Sequence, residues 1–100
     1  DAYACGPVCS PTRAALMCGQ YGAKTGVYSV PIAAKLDTSR RPIIPVPNVN
    51  ELPLDRVTVA SILQKAGYAT GHFGKWHLGQ QGNFHPSHRG FDEAVAVMDR

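Results

Sequence analysis

An α/β fold is predicted for this 100-residue chain by two local patterns and their order. A short helix lies near the start, around Pro11 to Gly19, and a second helix begins after Thr58 and runs through Gly67 into a strand over Tyr68–Phe73. A helix that feeds a strand through a glycine turn is the αβ half of an α/β unit. The length allows one small domain with a thin core, because a chain of this size buries only about 60–65% of the surface it exposes unfolded.

The first helix follows from its punctuation. Pro11 suits a first helical turn, where its missing N–H costs nothing. Ser10 is a candidate N-cap. Ala14, Ala15, Leu16 and Met17 are good helix formers, and Gly19 stops the helix as its C′ residue. Cys9 then stands at or just before the helix N-terminus. Residues 29–56 hold Pro31, Pro42, Pro45, Pro47 and Pro53 and read as a long irregular excursion. Thr58 is a candidate N-cap for the second helix, with Val59, Ile62, Leu63 and Ala66 recurring at helical spacing and Gly67 ending it. Residues 80–86 read as loop. The apolar run Ala94–Met98 begins a further strand or helix.

Composition excludes several classes. An apolar fraction of 44% with 17% charged residues is that of a globular chain, which argues against disorder through charge excess. The net charge of +3 comes from scattered basic residues, with Arg40-Arg41 the sole adjacent pair, so no basic stripe marks a nucleic-acid binder. No run approaches the ~18 apolar residues of a membrane span. Cys5, Cys9 and Cys18 cannot all pair, and their spacing fits neither a zinc site nor a disulfide scaffold. The chain opens on Asp1 with no signal peptide and reads as part of a longer protein.

Two stretches carry chemistry. In the first, Cys9-Ser10-Pro11-Thr12-Arg13, Cys9 faces the unpaired N–H donors and the positive dipole end of the helix, a setting that favours anions. Arg13 lies one turn on, at i+4, and can fold back over the same place. A buried inert thiol and a low-pKa redox thiol are the competing readings of Cys9. In the second, Gly74-Lys75-Trp76-His77-Leu78-Gly79, an extended backbone would point Lys75 and His77 to one face. A lysine and a histidine at a strand's C-terminal end can hold a tetrahedral anion, and open α/β sheets place ligands at that edge. His72 is expected to pack in the core, Trp76 to wall the site and Phe91 to fill space. His85 and His88 read as polar loop residues, and Cys5 and Cys18 as structural fillers.

The run Pro7-Val8-Cys9-Ser10-Pro11-Thr12-Arg13 to Gly19 resembles the C-x-P-x-R signature of formylglycine-dependent sulfatases. Gly67-Tyr68-Ala69-Thr70 to Gly79 resembles that family's second signature, G-Y-x-T-x-x-x-G-K-W-H-L-G. Tyr21–Val27 and Gly90-Phe91-Asp92 are similar to further family stretches. Where this chain has Cys18 and Gln20 the family usually has threonine and arginine, residues that help the maturing enzyme recognise its target.

The resemblance implies that residues 1–100 belong to the N-terminal catalytic domain of a sulfatase with the alkaline-phosphatase-like α/β fold. It implies that a formylglycine-generating enzyme converts Cys9 to formylglycine, the nucleophile on a sulfate ester. Arg13 steadies the charge, Lys75 binds the sulfate, and His77 hydrogen-bonds the diol and acts as base. It also implies a divalent cation, calcium, with Cys9 as formylglycine among its ligands and the acidic ligands outside these residues. The isolated chain is therefore expected to be inactive. Export to a periplasmic, extracellular or lysosomal space is implied as well. A phosphonate or phosphate ester hydrolase of the same superfamily, or a non-catalytic anion-binding relative with unconverted Cys9, are the alternatives.

Overall fold

The structure is a computed structural model and describes residues 1–30, 37, 39 and 41–97. The readings that involve Pro31, Arg40 and Met98 lie outside the described residues. In chain order the elements are α1 (Cys9–Cys18), α2 (Gly22–Thr25), α3 (Val59–Lys65), β1 (Gly71–Lys75), short 3-10 turns at Gly82–Phe84 and Pro86–His88, and β2 (Glu93–Val97).

The ends of α1 follow sequence chemistry at one end only. Gly19 closes it with φ 66°, its N–H donating to Ala15 O, a conformation that costs glycine little. At the other end Val8 is the N-cap and offers no side-chain bond, so the expectation for Ser10 is corrected: Ser10 lies inside the first turn. Pro11 does stand in that turn. In α3 both ends are as expected. The Thr58 side chain accepts from Ser61 N, and the Ser61 side chain accepts from Thr58 N, a reciprocal capping box. At the C-terminus Gly67 N donates to Gln64 O and Tyr68 N to Leu63 O, the paired bonds of a Schellman stop.

The strand is displaced from its expected place. It runs over Gly71–Lys75 rather than Tyr68–Phe73 and pairs parallel with β2, Gly71 opposite Glu93 and Lys75 opposite Val97. The extension is set by that distant partner. Glycines at 71 and 74 weaken the local strand signal, and tertiary pairing overrides it. The entry to the pair is pinned at Thr70, whose backbone N–H and hydroxyl donate to Asp92 while its carbonyl accepts from Asp92 N. Hydrogen bonds from Gln64, then from Thr70, hold the Asp92 carboxyl below the usual carboxylate range. That contribution is present at neutral pH and lost as pH falls through the lowered value.

A small core forms where α1, the 76–78 segment and the end of the excursion meet: Ala14, Val27, Leu52, Trp76 and Leu78, with Met17, Cys18, Phe91 and Ala96 against it. The apolar residues whose spacing marks α3 as a helix do not form its buried face. Val59, Ile62, Leu63 and Ala66 are exposed, and Ala60 is the buried residue of that helix. One face of the sheet, with Phe73, Val95 and Val97, is likewise exposed. Parallel sheets are normally covered on both faces.

The excursion is irregular wherever it is described, and its base is clamped. Asn48 Oδ1 accepts from Tyr28 N and Ser29 N at 2.7 and 2.8 Å, and Val49 N donates to Gly26 O. Buried Arg89 ties its far end down by donating to the carbonyls of Leu52, Pro53 and Arg56. Its neighbour Gly90 has φ +93°, and a Cβ there would collide with the backbone of Ser61 and Ala60. Gly90→Ala is therefore expected to destabilise the protein by roughly 2–5 kcal/mol, combining left-handed strain with overpacking. Thermal or urea denaturation checks it, and an unchanged midpoint would contradict the packing described.

Candidate functional site

The site lies where the N-terminal turn of α1 meets the C-terminal end of β1. Cys9 is the first residue of α1 and is half-buried. Its Sγ lies 3.1 Å from Nδ1 of His77, with the imidazole tautomer deciding which atom donates. The two chemical motifs, read separately in the sequence, thus converge on one pair of side chains.

Two further side chains of α1 fasten the second motif. Ser10 Oγ donates to His77 O at 3.2 Å, and the Arg13 guanidinium donates through NH1 to Lys75 O. Ser10 and Arg13 stand three apart and so share a face of the helix. Trp76, between the two gripped carbonyls, is 3% exposed and donates Nε1–H to Phe84 O at 2.9 Å. Trp76 is thereby a core residue, with His72 and Phe91 at 5.1 and 5.9 Å between ring centroids, rather than the site wall expected of it.

The alternation expected for Lys75 and His77 is also corrected. The strand ends at Lys75, and His77 has φ 56°, the single non-glycine left-handed residue among those described. Such a conformation is uncommon outside glycine, asparagine and aspartate, with histidine also enriched there. It persists where the surroundings over-determine it, as they do here through fully buried Leu78 on one side and Trp76 on the other. With the backbone turned at 77, the imidazole lies against Cys9 at the start of α1.

The remaining expectations divide. His72 packs against Trp76 and Phe91 and keeps Nε2 buried, and desolvation first, then the charge of Arg13, pushes its pKa down. His85 Nδ1 lies 2.8 Å from Ser87 Oγ, as befits a loop residue. Cys18 donates to Ala14 O and packs against the core. Cys5 is exposed, which corrects its reading as a filler. Gln20, where the family usually has arginine, accepts from Arg56 NH1 at 3.2 Å. Among the described residues no three His, Cys, Asp or Glu side chains cluster to hold a metal ion. The calcium ion implied by resemblance therefore does not find its ligand set among these residues alone.

Comparison with known families decides the kinship: the family described as Sulfatase matches residues 1–98. The chain belongs to the sulfatase family. Human arylsulfatase G is 44% identical over 92 residues, which cover 92% of this chain and 15% of that protein. Human N-acetylgalactosamine-6-sulfatase is 38% identical over 91 residues, covering 91% of this chain and 16% of that enzyme. The crystal structure of Ps i-CgsB superposes with a TM-score of 0.70 at 37% identity, over 94% of this chain and 18% of that one. The same protein in complex with k-i-k-neocarrahexaose gives 0.72 at 35% identity. The chain thus spans about a sixth of the length of these relatives, and within that span it has the α/β fold of the solved structure.

Ser10 is the site residue that sequence reasoning misplaced. Its role was assigned to the helix end, whereas its hydroxyl reaches a carbonyl in the other motif. The signal available was its i, i+3 relation to Arg13, which puts both on the face that meets β1.

Proposed function

We propose that this chain supplies the nucleophile-bearing part of a sulfuric ester hydrolase, with Cys9 matured to formylglycine. The observation that carries the proposal is the 3.1 Å approach of Cys9 Sγ to His77 Nδ1 across the two signatures. In the mature residue the thiol is replaced by an aldehyde, whose hydrate is a geminal diol, so Sγ here marks the place of the diol oxygens.

One diol hydroxyl gives up its proton as its oxygen attacks the sulfur of the ester; a new O–S bond forms, the bond from sulfur to the alcohol oxygen breaks, and the departing oxygen takes up a proton to leave as the alcohol. The second diol hydroxyl then loses its proton, the carbon–oxygen bond to the sulfate breaks, and sulfate leaves as the aldehyde returns. Water adds to restore the diol. The approach of His77 Nδ1 to residue 9 supports assigning to it the hydrogen bond to the diol and the acceptance of that proton. The N-terminal N–H groups of α1 favour the anions that gather there. Lys75 is assigned to the sulfate, while Arg13 holds the Lys75 backbone and adds positive charge to the same edge. The substrate is a sulfate ester, and a formylglycine-generating enzyme is the maturation partner. No helix among the described residues is long and apolar enough to cross a membrane. Export to a periplasmic, extracellular or lysosomal space is proposed from the family resemblance.

The test is the state of residue 9. When the full-length protein is made alongside a formylglycine-generating enzyme, peptide mass spectrometry is expected to find an aldehyde at position 9 that reacts with a hydrazide. A peptide recovered solely as alkylated cysteine overturns the proposal.

A further inference from the structure

We propose that Ser10 is a positioning residue, which acts through the backbone of His77 to set the imidazole beside the residue-9 side chain. The inference deepens the reading given above and rests on it for the catalytic consequence. Ser10 is fully buried, and its Oγ donates to His77 O at 3.2 Å across a sequence separation of 67 residues. A serine in the first turn of a helix ordinarily serves the local backbone. Here the hydroxyl is spent on the carbonyl of His77, the single non-glycine residue among those described that has the left-handed conformation.

The geometry makes the bond consequential. His77 O and the His77 side chain depart from the same Cα, so fixing the carbonyl and the flanking residues fixes the Cα–Cβ direction. Trp76 and Leu78 anchor the neighbours by burial, and Arg13 holds the carbonyl two residues earlier. Ser10 is adjacent to Cys9 in the chain, so one peptide unit carries both the nucleophile and the clamp on its partner. Without the hydroxyl, the His77 backbone loses one restraint on its carbonyl and is freer to relax toward the commoner φ/ψ regions. The imidazole then swings away from residue 9. A displacement of about 1 Å at such a pair is enough to cost on the order of a hundredfold in rate.

The experiment compares Ser10→Ala and Ser10→Thr in the full-length protein, prepared both with and without the converting enzyme. In the converted protein, Ser10→Ala is expected to lower kcat on an aryl sulfate about tenfold or more with KM within about twofold. Ser10→Thr, which keeps the hydroxyl, recovers most of that loss. In the unconverted protein the readout is the rate of Cys9 alkylation by iodoacetamide. Ser10→Ala is expected to move that rate toward the value of a His77→Asn protein, with Ser10→Thr remaining near the parent. A folded Ser10→Ala protein whose Cys9 reacts at the parent rate overturns the positioning role. A parent that turns over no sulfate ester would defeat the functional reading instead, while the thiol readout still decides Ser10.

Discussion

Cys9→Ser in the full-length enzyme is expected to stop after one sulfate transfer per molecule. Serine places a hydroxyl where Sγ lies, 3.1 Å from the His77 ring nitrogen, so attack on sulfur remains geometrically available. Release does not. The formylglycine hydrate carries two hydroxyls on one carbon, and deprotonation of the second breaks the bond to sulfate. A serine has one, and its sulfate ester is left to ordinary hydrolysis. Loss of a nucleophile that acts as part of a unit lowers kcat on the order of 10⁵–10⁶-fold. Intact-mass measurement after incubation with an aryl sulfate should show one added sulfate on residue 9. Sustained turnover near the parent rate would show that the reaction does not depend on a geminal diol.

His77→Asn is expected to lower kcat by about 10²–10⁴-fold, the range for a positioned proton-transfer group, with little change in melting temperature. Asparagine is chosen because it tolerates the left-handed backbone that residue 77 adopts. His77→Ala removes the same ring and adds about 1–2 kcal/mol of conformational strain, so it should lose both rate and stability. The pair of variants separates the imidazole from the backbone that carries it. A His77→Asn enzyme with parent kcat would remove His77 from the chemistry and leave it a structural turn.

Local signals were legible in the sequence where one residue decides a conformation. Gly19, Thr58 and Gly67 each mark an end of a helix, and each does so through backbone groups within a few residues of itself. Cys9, Arg13, Lys75 and His77 were legible as candidates because two motifs of fixed spacing stood in order, and the structure brings Cys9 to His77 and Arg13 to the backbone of Lys75. What was not legible depends on distant partners. The strand shifted to Gly71–Lys75 because its register is set by Glu93–Val97. Alternation failed at His77 because it assumes extended backbone, and the turn there is imposed by the burial of Trp76 and Leu78. The spacing of Val59, Ile62, Leu63 and Ala66 marked α3 as a helix, but periodicity reports which side is apolar, not what meets it.

The three bonds that join α1 to the 75–77 segment span 62, 67 and 68 residues of chain. Neither motif can therefore hold the 3.1 Å approach of Cys9 to His77 alone, and the residues between them act as a tether. Its exposed part, residues 41–47, lies beyond the Asn48 clamp and is accessible to a protease. An intact tether makes the meeting of the two motifs an intramolecular event. A single cut there would turn the meeting of nucleophile and imidazole into an encounter between two pieces, and the geometry of the site would come to depend on dilution.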